Sequence, residues 1–176
     1  MSAYYTYLIS SLPLLNFSHA APFSLEDFFS KCQGLISGRD FKALERSCFK
    51  EAYLLDSGNA DNLSRWARFE IALRNELARA RARRKKIDAQ IFVHLLDAPE
   101  TDITHLATMA YRSSVPLEAE LILDQARWDF LETLSFGHYF DFDFLLSYVL
   151  KLKILIRWDK IKAADKEALL KQMILN

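Results

Sequence analysis

The chain has 176 residues, 51% of them hydrophobic and 26% charged, with 23 basic side chains set against 23 acidic ones. That length and apolar share suit one globular domain with a sizeable core and exclude a disordered chain. A formal charge of zero gives no whole-molecule attraction to nucleic acid or anionic lipid, and four glycines with four prolines leave little turn chemistry for an all-β sandwich or barrel.

In chain order, Tyr4, Tyr5, Tyr7, Leu8 and Ile9 predict an extended or short helical start, closed by Ser11-Leu12-Pro13. Ser24 is placed as an N-cap, with Asp27 standing in for the Glu or Gln of a capping box. The helix it opens carries Leu25, Phe28, Phe29, Cys32 and Leu35 on one face and is expected to end near Gly38. Asp40 then starts a helix through Phe41, Leu44, Cys48 and about Leu55, and residues 57–62 read as a turn.

A long helix is expected from Leu63 to Lys86, with Trp66, Phe69, Leu73, Leu77 and Ala80 forming an apolar stripe. The stripe fails at Arg84, so the basic end is expected to project from the core. Residues 87–96 continue the helix after a bend in this reading. Asp102 to Arg112 follows as a short helix with Ile103, Leu106 and Met109 inward. Pro116 suits a first helical position behind a Ser113 or Ser114 cap, opening a helix through Leu121, Leu123, Trp128 and Leu131 to Leu134. Phe136 to Phe140 is an aromatic corner. Asp141 or Asp143 caps a helix to Trp158, and Asp165 opens a last amphipathic helix through Leu169, Leu170, Met173 and Ile174. The sum is an all-α chain of about seven helices, with residues 1–176 forming a single compact multi-helix domain without internal repeats.

Cys32 and Cys48 are too few for a disulfide scaffold and fall in apolar helical patterns, which predicts buried free thiols and a reducing compartment. Tyr4 to Leu15 is apolar and Ser18-His19-Ala20 has the look of a signal-peptidase site. No basic residue precedes Lys31, however, and Pro13 interrupts the stretch, so a cytoplasmic protein is expected. No segment has the length of uninterrupted apolar sequence that crosses a bilayer.

Charge is unevenly spread. Arg74 to Lys86 holds seven basic residues and one acid, Glu76, whereas Pro116 to Asp143 holds seven acids and one base, Arg127. Like charges four apart repel, as with Arg79 and Arg83 or Arg81 and Lys85. Such a cluster makes sense where an acidic partner relieves it, and Arg79, Arg81, Arg83, Arg84, Lys85 and Lys86 are the candidate partner-binding residues. The acidic helix reads as a solvated face.

Chemical motifs are missing. The sequence has no phosphate-binding glycine loop, no G-x-S-x-G, no H-E-x-x-H and no calcium loop. His19, His94, His105 and His138 lack zinc spacing, and His105 beside Asp102 suits a surface histidine. Trp66, Trp128 and Trp158 sit on apolar stripes and are expected in cores. Neither an enzyme nor a cofactor nor a metal site is expected.

Several patches carry a resemblance. The opening Tyr4-Tyr5-Thr6-Tyr7-Leu8-Ile9-Ser10-Ser11-Leu12-Pro13 resembles a bacterial family of unknown-function proteins encoded alongside V-type (A/V-type) ATPase subunits. Trp128-Asp129-Phe130-Leu131-Glu132, His138-Tyr139-Phe140-Asp141 and Tyr148 to Trp158 continue the likeness. The last of these is also similar to a segment of the C-type (eukaryotic d-type) socket protein of those ATPases, although Lys153 stands where that pattern has an acid. The resemblance implies a C/d-like, non-catalytic coupling or accessory piece. Its partners would be the proteolipid ring and the central stalk, at the inner face of the cytoplasmic membrane. The chain is shorter than the C-type socket protein, and the binding residues of that protein do not match this sequence position by position, so none is carried over. The alternative is a helical scaffold or adaptor whose basic end, residues 79–86, meets an acidic protein, an anionic membrane surface or nucleic acid. The lack of aromatics within the basic run counts against single-stranded nucleic acid.

Overall fold

The computed structural model describes residues 4–50, 55, 61–94 and 101–174, with side chains as far as 164 and that of residue 101 left out. Among the described residues all regular structure is helical, in seven α-helices and one 3-10 turn. The chain is built from two compact units, Met1–Cys48 with Gly137–Asn176, and Phe49–Phe136.

The first unit contains α1 (Tyr5–Ser10), α2 (Leu25–Cys32), α3 (Gly38–Phe49) and α7 (Phe142–Ile174). Ser24 caps α2 as the sequence predicts: its hydroxyl accepts from the Asp27 backbone N–H at 3.1 Å, and the Asp27 carboxylate accepts from the Ser24 N–H. The helix stops at Cys32, short of Gly38, because Gly34 turns the chain at φ 78°. Gly38 begins α3 instead of ending α2, and Ser37 provides the cap by accepting from the Asp40 N–H at 3.1 Å.

One wall of this core is α7, where Leu145, Leu146, Val149, Leu152 and Leu155 are almost wholly buried. Each such side chain contributes about 1.5–3 kcal/mol by leaving water. Tyr148 joins α7 to α2: its ring stacks on Phe28 with centroids 5.8 Å apart, and its hydroxyl donates to the Pro13 carbonyl at 2.9 Å. Burial pushes that phenol's pKa up, which suits a neutral donor. Lys153 Nζ donates to the Cys48 carbonyl at 2.6 Å, tying α7 to the end of α3. The break expected before Asp165 is absent. With no glycine or proline between Phe142 and Ile174, nothing ends the helix, and α7 runs through both predicted segments. The apolar face drawn through Leu169 to Ile174 lies outside the described side chains.

The second unit contains α4 (Asn62–Lys85), the 3-10 turn (Gln90–Phe92), α5 (Thr101–Arg112) and α6 (Pro116–Ser135). Asp61 caps α4 by accepting from the Ser64 N–H at 2.8 Å; the turn expected before it lies largely outside the described residues. Trp66, Phe69, Leu73 and Ala80 are buried as the stripe predicts, while Leu77 is only half-buried. Phe69 lies flat on Phe130 of α6, with centroids 4.2 Å apart, and Trp66 stacks on Phe69.

Three expectations change here. Residues 87–94 do not continue α4, because Lys86 takes a left-handed conformation (φ 54°) and closes the helix; residues 95–96 of the expected continuation lie outside the described residues. Ile87 N–H bonds the Ala82 carbonyl and Lys86 N–H the Arg83 carbonyl, the two-bond pattern that usually employs glycine. In α5 the inward face is Ile103, Ala107 and Ala110, with Leu106 half-buried and Met109 exposed. Pro116 does open α6, but no side chain caps it, and Leu121 faces solvent while Leu123, Trp128, Leu131 and Leu134 are buried.

Candidate functional site

The basic end of α4 is built by a change of composition along one helix. As far as Glu76 the helix is buried on most sides; beyond Ala80 only Ala82 turns inward. Arg81, Arg83, Arg84, Lys85 and Lys86 are all exposed and form no ion pair among the described residues. The sixth predicted residue, Arg79, differs. It is half-buried and its guanidinium binds the buried Glu76 carboxylate, so it neutralises a core acid before it can serve a partner. Arg74 is likewise near Glu70, at 3.8 Å.

The acidic helix is less uniformly solvated than expected. Asp124 is 1% exposed and accepts from Arg127 at 2.8 Å, while Arg127 Nε donates to Glu70 of α4 at 2.6 Å. The lone base of the acidic segment thus ties α4 to α6. Burial alone would lower the Arg127 pKa, and the charges and hydrogen bonds of Glu70 and Asp124 outweigh it and raise it. Asn75 adds a neutral tie: its amide donates to the His94 carbonyl at 2.8 Å and accepts from the His94 N–H at 2.9 Å.

In the first unit the corner before α7 gathers titratable groups. Asp141 caps α7 through the Phe144 N–H at 3.0 Å, and its other oxygen lies 2.6 Å from His138 Nδ1. Asp143 is 3.6 Å from the same nitrogen. The hydrogen bond to Asp141 raises the His138 pKa; burial opposes it and the charges of Asp141 and Asp143 add to it. Tyr5 donates to Asp40 at 2.6 Å, and burial, Asp40 and the charges of Asp141 and Asp143 push the phenol well above its usual range. His138, Asp141 and Asp143 offer three ligand atoms within 4.8 Å of one another, a donor set suited to a divalent cation. Sequence reasoning left the cap open between Asp141 and Asp143 and missed the trio, because H-x-x-D-x-D matches none of the zinc, zincin or calcium-loop spacings. Gly137, at φ 82°, allows the turn that brings His138 back over the two aspartates.

The remaining expectations resolve simply. Cys32 and Cys48 are buried free thiols whose pKa values burial pushes up to about 12 and about 11. All three tryptophans are buried, and His105 with Asp102 is exposed. Among the described residues no helix is long and apolar enough to cross a membrane.

These features define a helical protein with a basic helix end, an internal ion network and an acidic histidine corner. The chain belongs to the family described as "Protein of unknown function (DUF2764)", whose model matches residues 44–176. No curated protein and no solved structure matches the chain.

Proposed function

We propose that the chain is a non-catalytic subunit or accessory protein of a bacterial V-type rotary ATPase. It would act as a coupling piece between the central stalk and the proteolipid ring, at the inner face of the membrane. The observation that carries this reading is the exposed cluster Arg81, Arg83, Arg84, Lys85 and Lys86 on the end of a helix whose other end is locked in a core. A part that transmits force needs stiff packed helices and a charged docking surface. The resemblance of Tyr4 to Pro13 and of Tyr148 to Trp158 supports assigning that surface to such a machine.

Affinity purification of the tagged chain from detergent-solubilised native membranes tests it. Proteolipid and central-stalk subunits are expected in the eluate. Arg81→Glu/Arg83→Glu/Arg84→Glu is expected to remove them while leaving the helical circular dichroism unchanged. An eluate without any ATPase subunit sinks the reading; retention by the triple variant removes the basic end from it.

A further inference from the structure

The basic cluster does not stand alone. Directly after it Ile87, Ile91 and Phe92 are 47%, 77% and 56% exposed, so five cations and three large apolar side chains share residues 81–92 with a single acid, Asp88. We infer that this end of α4 and the turn after it bind an anionic bilayer surface directly, the cations among the headgroups and Ile87, Ile91 and Phe92 at the acyl boundary.

Three observations carry the inference. First, the apolar side chains are held out in water by defined structure. The left-handed Lys86 and its two cap bonds fix the start of the segment, the Asn75 pair of bonds to His94 fixes its end, and the Asp88 carboxylate accepts from the Gln90 N–H at 2.9 Å between them. Backbone strain at a non-glycine residue persists where the surroundings impose it, and it concentrates at functional segments. Second, Lys85 and Lys86 directly adjoin the apolar side chains. Protein interface cores are depleted in lysine, whereas at a bilayer long cationic stems lie along apolar surface with their heads among phosphates. Third, of the three apolar side chains only Phe92 has a π-face for a base, and one stacking platform beside two aliphatic side chains suits a nucleic-acid strand poorly. An amphipathic element of this kind combines apolar burial with attraction to anionic lipid, two signals that together give stable anchoring.

The inference rests on the proposed function for its place at the membrane and adds lipid headgroups to the protein contacts of the basic end, and lipid vesicles test it without any ATPase subunit. The full chain is sedimented with phosphatidylcholine vesicles and with phosphatidylcholine–phosphatidylglycerol vesicles at near-physiological salt. Binding to the anionic vesicles only is expected. Ile87→Ser/Ile91→Ser/Phe92→Ser should weaken it about tenfold, and Arg81→Glu/Arg83→Glu/Arg84→Glu about a hundredfold. Phe92→Trp should add blue-shifted emission on vesicles. Equal binding to neutral vesicles, full binding by the triple-serine variant, or preference for an RNA homopolymer overturns the inference. Recovery of ATPase subunits from membranes with no vesicle binding also overturns it, and leaves the proposed function in place with a protein surface as the partner.

Discussion

Arg127 and His138 each sit between two carboxylates, and the two arrangements behave as opposites. Around Arg127 the acids come from two helices, Glu70 and Asp124 are at most 6% exposed, and the cation is permanently charged. Around His138 the acids lie two residues apart at the start of one helix, all three groups are partly exposed, and the cation is an imidazolium whose proton these acids help to hold. Burial decides the difference. The inner network can only hold α4 against α6, because breaking it strands a charge in low dielectric. The outer one can gain or lose a proton at little cost to the fold.

The largest effect should follow from breaking the inner network. Arg127→Met leaves Glu70 and Asp124 buried without their shared cation and should destabilise the protein by about 3–5 kcal/mol, measured by urea unfolding. Pairing it with Glu70→Gln and Asp124→Asn should recover much of that loss; no recovery would mean that the methionine fails on shape instead of charge.

At the outer corner, Asp141→Ala removes both the α7 cap and the histidine's partner and should cost about 1 kcal/mol. Asp141→Asn should cost less, since asparagine also caps, yet it should lower the His138 pKa toward its ordinary value. An NMR titration of the imidazole separates the two. The pH dependence has a definite sign. The folded His138 pKa is raised, so its contribution to stability is fully present below the unfolded value and is lost as pH rises through the folded one. Unfolding midpoints should therefore fall across that window in the wild type and flatten in His138→Gln.

The smallest effect concerns α4, which belongs to the inner comparison at one end and to solvent at the other. Lys86→Gly relieves the left-handed conformation and should stabilise by a few tenths to about 1 kcal/mol, while removing one cation from the docking surface. A gain in melting temperature alongside weaker vesicle binding would separate stability from docking at a single position.

How much of the fold and of the site is legible in the sequence depends on how far apart the determining residues lie. The Ser24–Asp27 box, the Asp141 cap, Pro116 at the start of α6 and the buried tryptophans are written within a few residues, and each is readable. Gly38 misleads because a glycine two residues before an Asp looks like a stop followed by a new start, and Ser37 one residue earlier is what marks the start. Asp165 looks like a cap, but a cap residue begins a helix only where something has ended the previous one. Lys86 gives no signal, since its conformation is imposed by the bonds of Ile87 and Lys86 back to α4. Glu70 and Arg127 lie 57 residues apart, and only the packing of α4 on α6 brings them to 2.6 Å. The His138 trio is within reach of a local reading, yet its spacing also serves helix capping and carries no distinctive signature.

Cys32 and Cys48 lie on α2 and α3 of the same unit, sealed from solvent and held as thiols by burial. Alkylation proceeds through the thiolate, so at neutral pH the closed protein offers a reagent almost nothing to attack. Every labelled molecule records an occasion on which those helices parted from their neighbours. The two sulfurs are in effect a clock for the breathing of the first unit, readable by mass spectrometry without any substitution in the chain.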